Sequence, residues 1–232
     1  MTVGGVLSEA FALYRRFFAR FFLTAAAVFV VLNLFSAIAA DAGADADDAL
    51  AAFWGLVGLV VALVGSLWVQ GALTATVANV RDGRAEEDIE STYRRVRPTL
   101  IPLLLAGVLA GIGILLGFIL LIVPGLILLT RWVLVTPAVV LERLGPTEAL
   151  RRSWNLVRGH SWTAFGVIVV TLVISAIAHV IFVGVFAFLP DFLRNWIGGL
   201  VANSLVTPFV ALSWTLMYFH LRGDSSTPGQ AA

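Results

Sequence analysis

Arg131 is the one charged residue inside the long apolar stretches of this 232-residue chain. A charge at the centre of a membrane helix costs about 2.5–3.5 kcal/mol on insertion scales. Counted from the turn expected at Pro124-Gly125, Arg131 lies roughly 9 Å down a helix rising 1.5 Å per residue. Two readings stay open there. The guanidinium could face an outer-leaflet cavity and bind an anionic headgroup or substrate, or it could snorkel to the outer interface and tie helix C-terminal carbonyls. Asn33, His179 and Asn203 fall at a similar depth in the outer half, so the four together could line one polar chamber. Taken singly, each of those three is an interhelical hydrogen bond worth about 0.6 kcal/mol. Gln70, toward the other end of its helix, has no evident partner.

Other chemistry is excluded by what the chain lacks. It has no cysteine, so no disulfide, thiolate or cysteine metal site exists. There is no lysine, hence no phosphate-cradling glycine loop closed by Lys and Ser/Thr. His160, His179 and His220 are scattered and form no His-Glu-x-x-His site. The apolar stretches hold no carboxylate for proton or sodium coupling. Glu86-Glu87-Asp88 reads as solvated charge at a helix start. No enzyme, cofactor, metal site or nucleic-acid partner is expected.

The elements that must position Arg131 follow from composition. The chain is 60% hydrophobic with a mean hydropathy of +0.98, against roughly 45–50% apolar residues in soluble domains. A crossing helix needs about 20 apolar residues. Six stretches qualify: Phe21–Ala40, Ala49–Val80, Leu100–Val123, Leu126–Leu141, Trp162–Leu189 and Trp196–Phe219. Fourteen of the fifteen arginines lie outside them, and thirteen of these fall in alternate gaps. Arg15, Arg16 and Arg20 precede the first; Arg81, Arg84, Arg94, Arg95 and Arg97 follow the second. Arg143, Arg151, Arg152 and Arg158 follow the fourth, and Arg222 follows the sixth. The other gaps hold only Arg194, beside Asp41, Asp45, Asp47, Asp48 and Asp191. Arginine-bearing loops stay on the cytoplasmic side, which predicts six crossings with both termini in the cytoplasm. Arg15–Arg20 and Ala37-Ile38-Ala39 imitate a signal peptide, but Phe21–Ile38 exceeds the usual apolar core of roughly 7–15 residues. It is expected to remain as the first helix.

A basic amphipathic segment precedes each odd-numbered span. Leu7, Phe11, Tyr14, Phe18 and Phe21 recur at helical spacing, as do Ile89, Tyr93 and Val96. In the third, Leu150, Trp154 and Val157 form the apolar stripe, with Arg151, Arg152, Asn155 and Arg158 facing away. Pro146-Thr147-Glu148 and Gly159 mark its start and stop. Such segments suit the headgroup layer, arginines toward anionic lipid. Arg15, Arg16, Arg94, Arg95, Arg151, Arg152 and Arg158 are the candidate cytoplasmic headgroup contacts. Glu9-Ala10-Phe11 with Tyr14-Arg15-Arg16, then Tyr93-Arg94-Arg95, then Glu148-Ala149-Leu150-Arg151-Arg152 suggest three copies of one unit, an interfacial helix followed by a helical hairpin. Asp41–Asp48, Pro124-Gly125 and Pro190-Asp191 supply the external turns. Gly107-x-x-x-Gly111 has the spacing for close helix contact, and Pro102, Pro137 and Pro208 should kink or begin helices.

The run Ile122-Val123-Pro124-Gly125-Leu126-Ile127-Leu128, then Arg131, Pro137-Ala138-Val139-Val140-Leu141-Glu142, and Glu148-Ala149-Leu150-Arg151-Arg152-Ser153-Trp154 with Val157-Arg158-Gly159 resembles a known pattern. It is that of the uncharacterised six-helix membrane proteins related to the glycerophosphoryl diester phosphodiesterase membrane domain, to which the YciC-type inner-membrane proteins are similar. The resemblance implies a six-helix fold with the proline–glycine turn, the arginine after it and the Glu-Ala-Leu-x-x-Ser helix as its signature. It implies no phosphodiesterase activity, because this chain has no hydrolase domain.

The expected fold is therefore all-α, a polytopic bundle of six transmembrane helices in three hairpin pseudo-repeats with interfacial helices. Residues 1–222 form this single domain and 223–232 a disordered cytoplasmic tail. The expected role is a non-enzymatic cell-membrane protein associated with anionic lipid or accessory to a membrane-protein partner. The alternative is a transporter or permease-like subunit with its polar site around Arg131.

Overall fold

The computed structural model describes residues 2–44, 47–83 and 89–223. Asp45, Arg84, Glu86-Glu87-Asp88 and the tail after Gly223 lie outside the described residues. Among the described residues ten α-helices follow one another: α1 (Val3–Arg16), α2 (Phe18–Ala44), α3 (Asp48–Arg81), α4 (Ile89–Val96), α5 (Leu100–Leu120), α6 (Ile122–Arg131), α7 (Val135–Glu142), α8 (Pro146–Val157), α9 (Ser161–Val185) and α10 (Asp191–Arg222). A single 3₁₀ turn, Arg97–Thr99, joins α4 to α5. Six segments are long and apolar enough to cross a membrane, with α6 and α7 forming the fourth.

The spans pair as hairpins α2–α3, α5–α6 and α9–α10, while α3, α7 and α10 touch one another at the centre. The three short helices dock on the hairpin before them. α4 packs on α3, and α8 on α7 and α5. The Tyr93 hydroxyl donates to the Thr24 carbonyl of α2. α1 packs on α10 and α9, so the first segment closes onto the last hairpin. Glu9 meets His220 at 3.4 Å, and the Tyr14 hydroxyl donates to the Leu205 carbonyl at 2.9 Å. Those two α10 residues are separated by about 22 Å of helix, so α1 runs along α10 instead of lying flat across its end. The first of the three expected units thus contacts the third.

Burial concentrates at the end of the bundle that carries most of the arginines, here the basic end. In α3 every buried residue lies from Gly65 onward, and in α9 the buried set is Ala164, Val167, Ile168 and Thr171. Toward the far end Leu50, Phe53, Leu56 and Leu59 of α3 are exposed, as are Ile177, Val180, Ile181 and Val185 of α9. An apolar outer surface of this kind is what a bilayer covers.

Two expectations about the fourth span change. Pro124-Gly125 is not the turn. The reversal is made by Leu121, whose extended backbone (φ −164°, ψ 151°) separates α5 from α6. Proline lacks an N–H that the first helical turn would leave unpaired anyway, so Pro124 sits inside the start of α6. Gly125 serves contact: a β-carbon there would lie 2.5 Å from the Phe118 ring, and one at Gly117 would lie 3.0 Å from the Gly125 backbone. Gly107 faces Leu67, whereas a β-carbon at Gly111 would meet nothing within 4 Å. Pro102 and Pro137 begin helices, and Pro208 stays inside the continuous α10.

The fourth span also breaks at 132–134, between α6 and α7. Unpaired backbone groups at such depth cost several kcal/mol each, and α8 supplies the partner. The buried Ser153 hydroxyl donates to the Arg131 carbonyl at 2.7 Å and accepts the Leu134 N–H at 3.1 Å. The start of α8 is as expected, with the Glu148 carboxylate accepting the Gly145 N–H at 3.1 Å.

Ser153→Ala should cost about 1–3 kcal/mol by orphaning those two groups, read as a lower Tm in detergent. Gly117→Val should also lower Tm, and Gly111→Val should leave it nearly unchanged. Equal melting of the two glycine variants would show that the α5–α6 approach is not tight.

Candidate functional site

Arg131 ends α6, nine residues beyond Ile122 and about 14 Å along that helix. Its guanidinium carbon lies 5.0 Å from the Trp154 ring centroid on α8. This is a cation–π contact, worth about 2 kcal/mol when desolvated. Nη1 is buried, and among the described residues it has no hydrogen-bond partner and the side chain no ion pair. The side chain lines a groove of about 460 Å³ between α6 and α9, together with Val123, Leu126, Ile127, Thr130, Ser161, Trp162 and Phe165. The rim is open and apolar, with Ile127, Val123 and Trp162 exposed. Thr130 contributes no donor to the groove, since its hydroxyl is spent on the Leu126 carbonyl. The arrangement is an apolar trough with one planar cation at its floor. A guanidinium presents paired donors that match a carboxylate or phosphate.

The depth expected for Arg131 shifts toward the basic end. α8 follows directly from the basic end of α7, and Ser161 and Trp162 open α9 on that same side. The break in the fourth span is the reason, because Arg131 terminates a ten-residue helix that stops against α8.

The four residues of the expected chamber are not brought together. His179 and Asn203 share a separate cavity of about 610 Å³ between α3, α9 and α10, and Gln70 and Thr207 join them there. Asn33 lies elsewhere, against Gly199 of α10, and its amide donates to the Phe29 carbonyl of its own helix at 2.8 Å. Arg131 lines neither place.

The basic helices divide into exposed and engaged arginines. Arg15, Arg16, Arg94, Arg95, Arg151 and Arg158 are exposed; of these, Arg95 also donates to Asn79 at 3.1 Å. Arg152 turns inward instead of facing away. Its Nε contacts both Glu142 oxygens at 3.1 and 3.0 Å and its Nη2 one of them at 2.9 Å. The Tyr218 hydroxyl donates to the same carboxylate, and Arg222 stands 3.9 Å away. The hydrogen bonds to Glu142 hold the Arg152 guanidinium above its usual range. This cluster joins α7, α8 and α10 at the basic end, so Arg152 acts as a structural tie.

A family described as a domain of unknown function (DUF7847) matches residues 95–221, more than half of the 232-residue chain. The chain belongs to the DUF7847 family. No curated protein and no solved structure matches it. The DUF7847 segment runs from the end of α4 to the end of α10 and holds Arg131, Ser153, Trp154, Glu142 and Arg152. Within it a repeat went unread in the sequence. Leu134-Val135-Thr136-Pro137-Ala138-Val139 and Leu205-Val206-Thr207-Pro208-Phe209-Val210 agree at five of six positions. Both lie on central helices, α7 and α10. That repeat was the available signal for Thr136 and Thr207.

Arg152→Ser should lower Tm by removing one partner of a partly buried ion pair, while Arg151→Ser should leave it close to wild type. The order should reverse in flotation with anionic liposomes, where Arg151→Ser reduces retention more than Arg152→Ser. Equal loss of liposome binding in the two variants would put Arg152 among the surface contacts.

Proposed function

We propose that this DUF7847 protein is a non-enzymatic, polytopic cell-membrane protein that holds an anionic lipid at the Arg131 groove. The observation carrying the reading is Arg131, whose side chain lines an apolar trough open along its rim and whose buried Nη1 has no partner among the described residues. A guanidinium kept out of water demands an anion, and a headgroup with acyl chains matches the mixed lining. The exposed arginines Arg15, Arg16, Arg94, Arg151 and Arg158 add a surface for the same lipids, each worth about 1 kcal/mol near an anionic leaflet. What supports the non-enzymatic part is the sequence, whose apolar stretches offer no carboxylate pair or nucleophile–base pair. Both termini are placed in the cytoplasm by the alternation of arginine-bearing gaps. Kinship with the glycerophosphoryl diester phosphodiesterase membrane-domain proteins belongs to the same proposal, carried by Pro124-Gly125, Arg131 and the Glu148–Trp154 run. A permease-like role is the second reading, favoured by the polar cavity around His179 and Asn203 and no longer by Arg131.

Native mass spectrometry of protein released from nanodiscs of mixed phosphatidylglycerol and phosphatidylcholine tests the lipid reading. A retained phosphatidylglycerol that disappears in Arg131→Ala is the expected result. A bare wild-type protein, equal retention in the variant, or a stoichiometric protein partner in place of lipid would sink it. Because the chain lacks cysteine, single cysteines at Gly223 and Asp47 report orientation. An impermeant maleimide should label intact cells at position 47 only, and labelling at 223 instead would invert the topology.

A further inference from the structure

The cavity of about 610 Å³ between α3, α9 and α10 adjoins a smaller one of about 210 Å³, and Leu172 and Trp214 line both. Each central helix sends one polar residue into one of these two neighbouring spaces. Gln70 of α3 and Thr207 of α10 line the larger part, and Thr136 of α7 the smaller. Thr136 and Thr207 occupy the same place in the Leu-Val-Thr-Pro run that α7 and α10 share.

Their hydroxyls and the Gln70 amide differ from five other hydroxyls of the spans. Thr24, Thr76, Thr130, Thr171 and Ser213 each donate to the carbonyl four residues earlier in their own helix, the usual way to quiet a hydroxyl in an apolar setting. Thr136, Thr207 and Gln70 make no hydrogen bond to any described residue, and neither do His179 and Asn203. Trp214, which lines both parts, has a buried Nε1 without a partner. Polar groups so placed cost free energy until something pairs with them.

We propose that these two adjoining cavities bind the uncharged, hydroxyl- or carbonyl-bearing head of an amphiphile. They are distinct from the anion site at Arg131. The lining sets the chemistry: amide, hydroxyl, imidazole and indole groups offer donors and acceptors, and no residue that lines either part carries a formal charge with His179 neutral. The volume suits a small head and the first part of a chain, within the range of roughly 300–1,000 Å³ common for ligand sites. The way in is lateral, because Leu172 and Val180 on the rim are exposed on the outer face of α9. A tail can therefore leave toward the bilayer while the head stays among Gln70, Thr136 and Thr207.

The test is photolabelling of the full chain in nanodiscs with hexadecanol bearing a diazirine beside its hydroxyl, and with a matching diazirine-bearing butanol. The label is mapped by mass spectrometry. The expected result is hexadecanol label concentrated in Leu172–Val180 and Ala202–Ala211, competed by unlabelled hexadecanol. In the triple variant Gln70→Leu/Thr136→Val/Thr207→Val it falls about ten-fold, the factor that about 1.4 kcal/mol of lost hydrogen bonding gives. Phosphatidylglycerol retention at Arg131 stays as in wild type, so failure of one site is separable from failure of the other. Butanol labelling the same peptides, competed by butanol alone, would assign the site to a free small alcohol and overturn the amphiphile. Label spread evenly over exposed faces such as Leu115–Ile122, already readable in the wild-type protein, would overturn the site. Label undiminished in the folded triple variant, or in Asn203→Leu should the triple variant not fold, would do the same.

Discussion

A span interrupted inside apolar surroundings must find partners for its own backbone, and here one side chain provides them. The Ser153 hydroxyl takes the Leu134 N–H and gives its proton to the Arg131 carbonyl. Much of the basic-end architecture depends on that bridge. It lets the fourth span change direction between α6 and α7, holds α8 against the break, and brings Trp154 over the Arg131 guanidinium. With a continuous helix in that place, Arg131 would have no reason to meet α8.

The Glu142 cluster extends the same logic outward. Its carboxylate collects Arg152, Tyr218 and Arg222 from two other helices, so the end of α7 is fastened on both sides. Close packing at the basic end follows, with Leu73, Leu103, Leu212 and Met217 fully enclosed. Toward the far end the hairpins part, and the space between α3, α9 and α10 remains. A tight end and a loose end thus arise from where polar ties are available.

The six spans and the boundaries of α8 were legible because length, apolar content and helix-start residues act locally. The break at 132–134 was not legible. Trp132-Val133-Leu134 has no turn residue, and its stability comes from a serine some twenty positions away. Pro124-Gly125 misled for the opposite reason, since turn-forming residues were serving a helix start and a close contact with Phe118. The supposed chamber of Arg131, Asn33, His179 and Asn203 failed because depth along a helix says nothing of the direction a side chain faces. Arg152 looked like a surface cation because its partner Glu142 belongs to a different helix.

The docking of α1 on α10 has a consequence for how the chain is made. The Tyr14–Leu205 hydrogen bond links residues 191 positions apart, and ring closure has to wait for it. During synthesis the first helix emerges long before its berth on α10 exists, so its apolar stripe lacks that partner until the last hairpin arrives. Assembly order is therefore fixed by topology: the middle unit can settle on the first as it appears, while the ring closes only when the final span has been inserted.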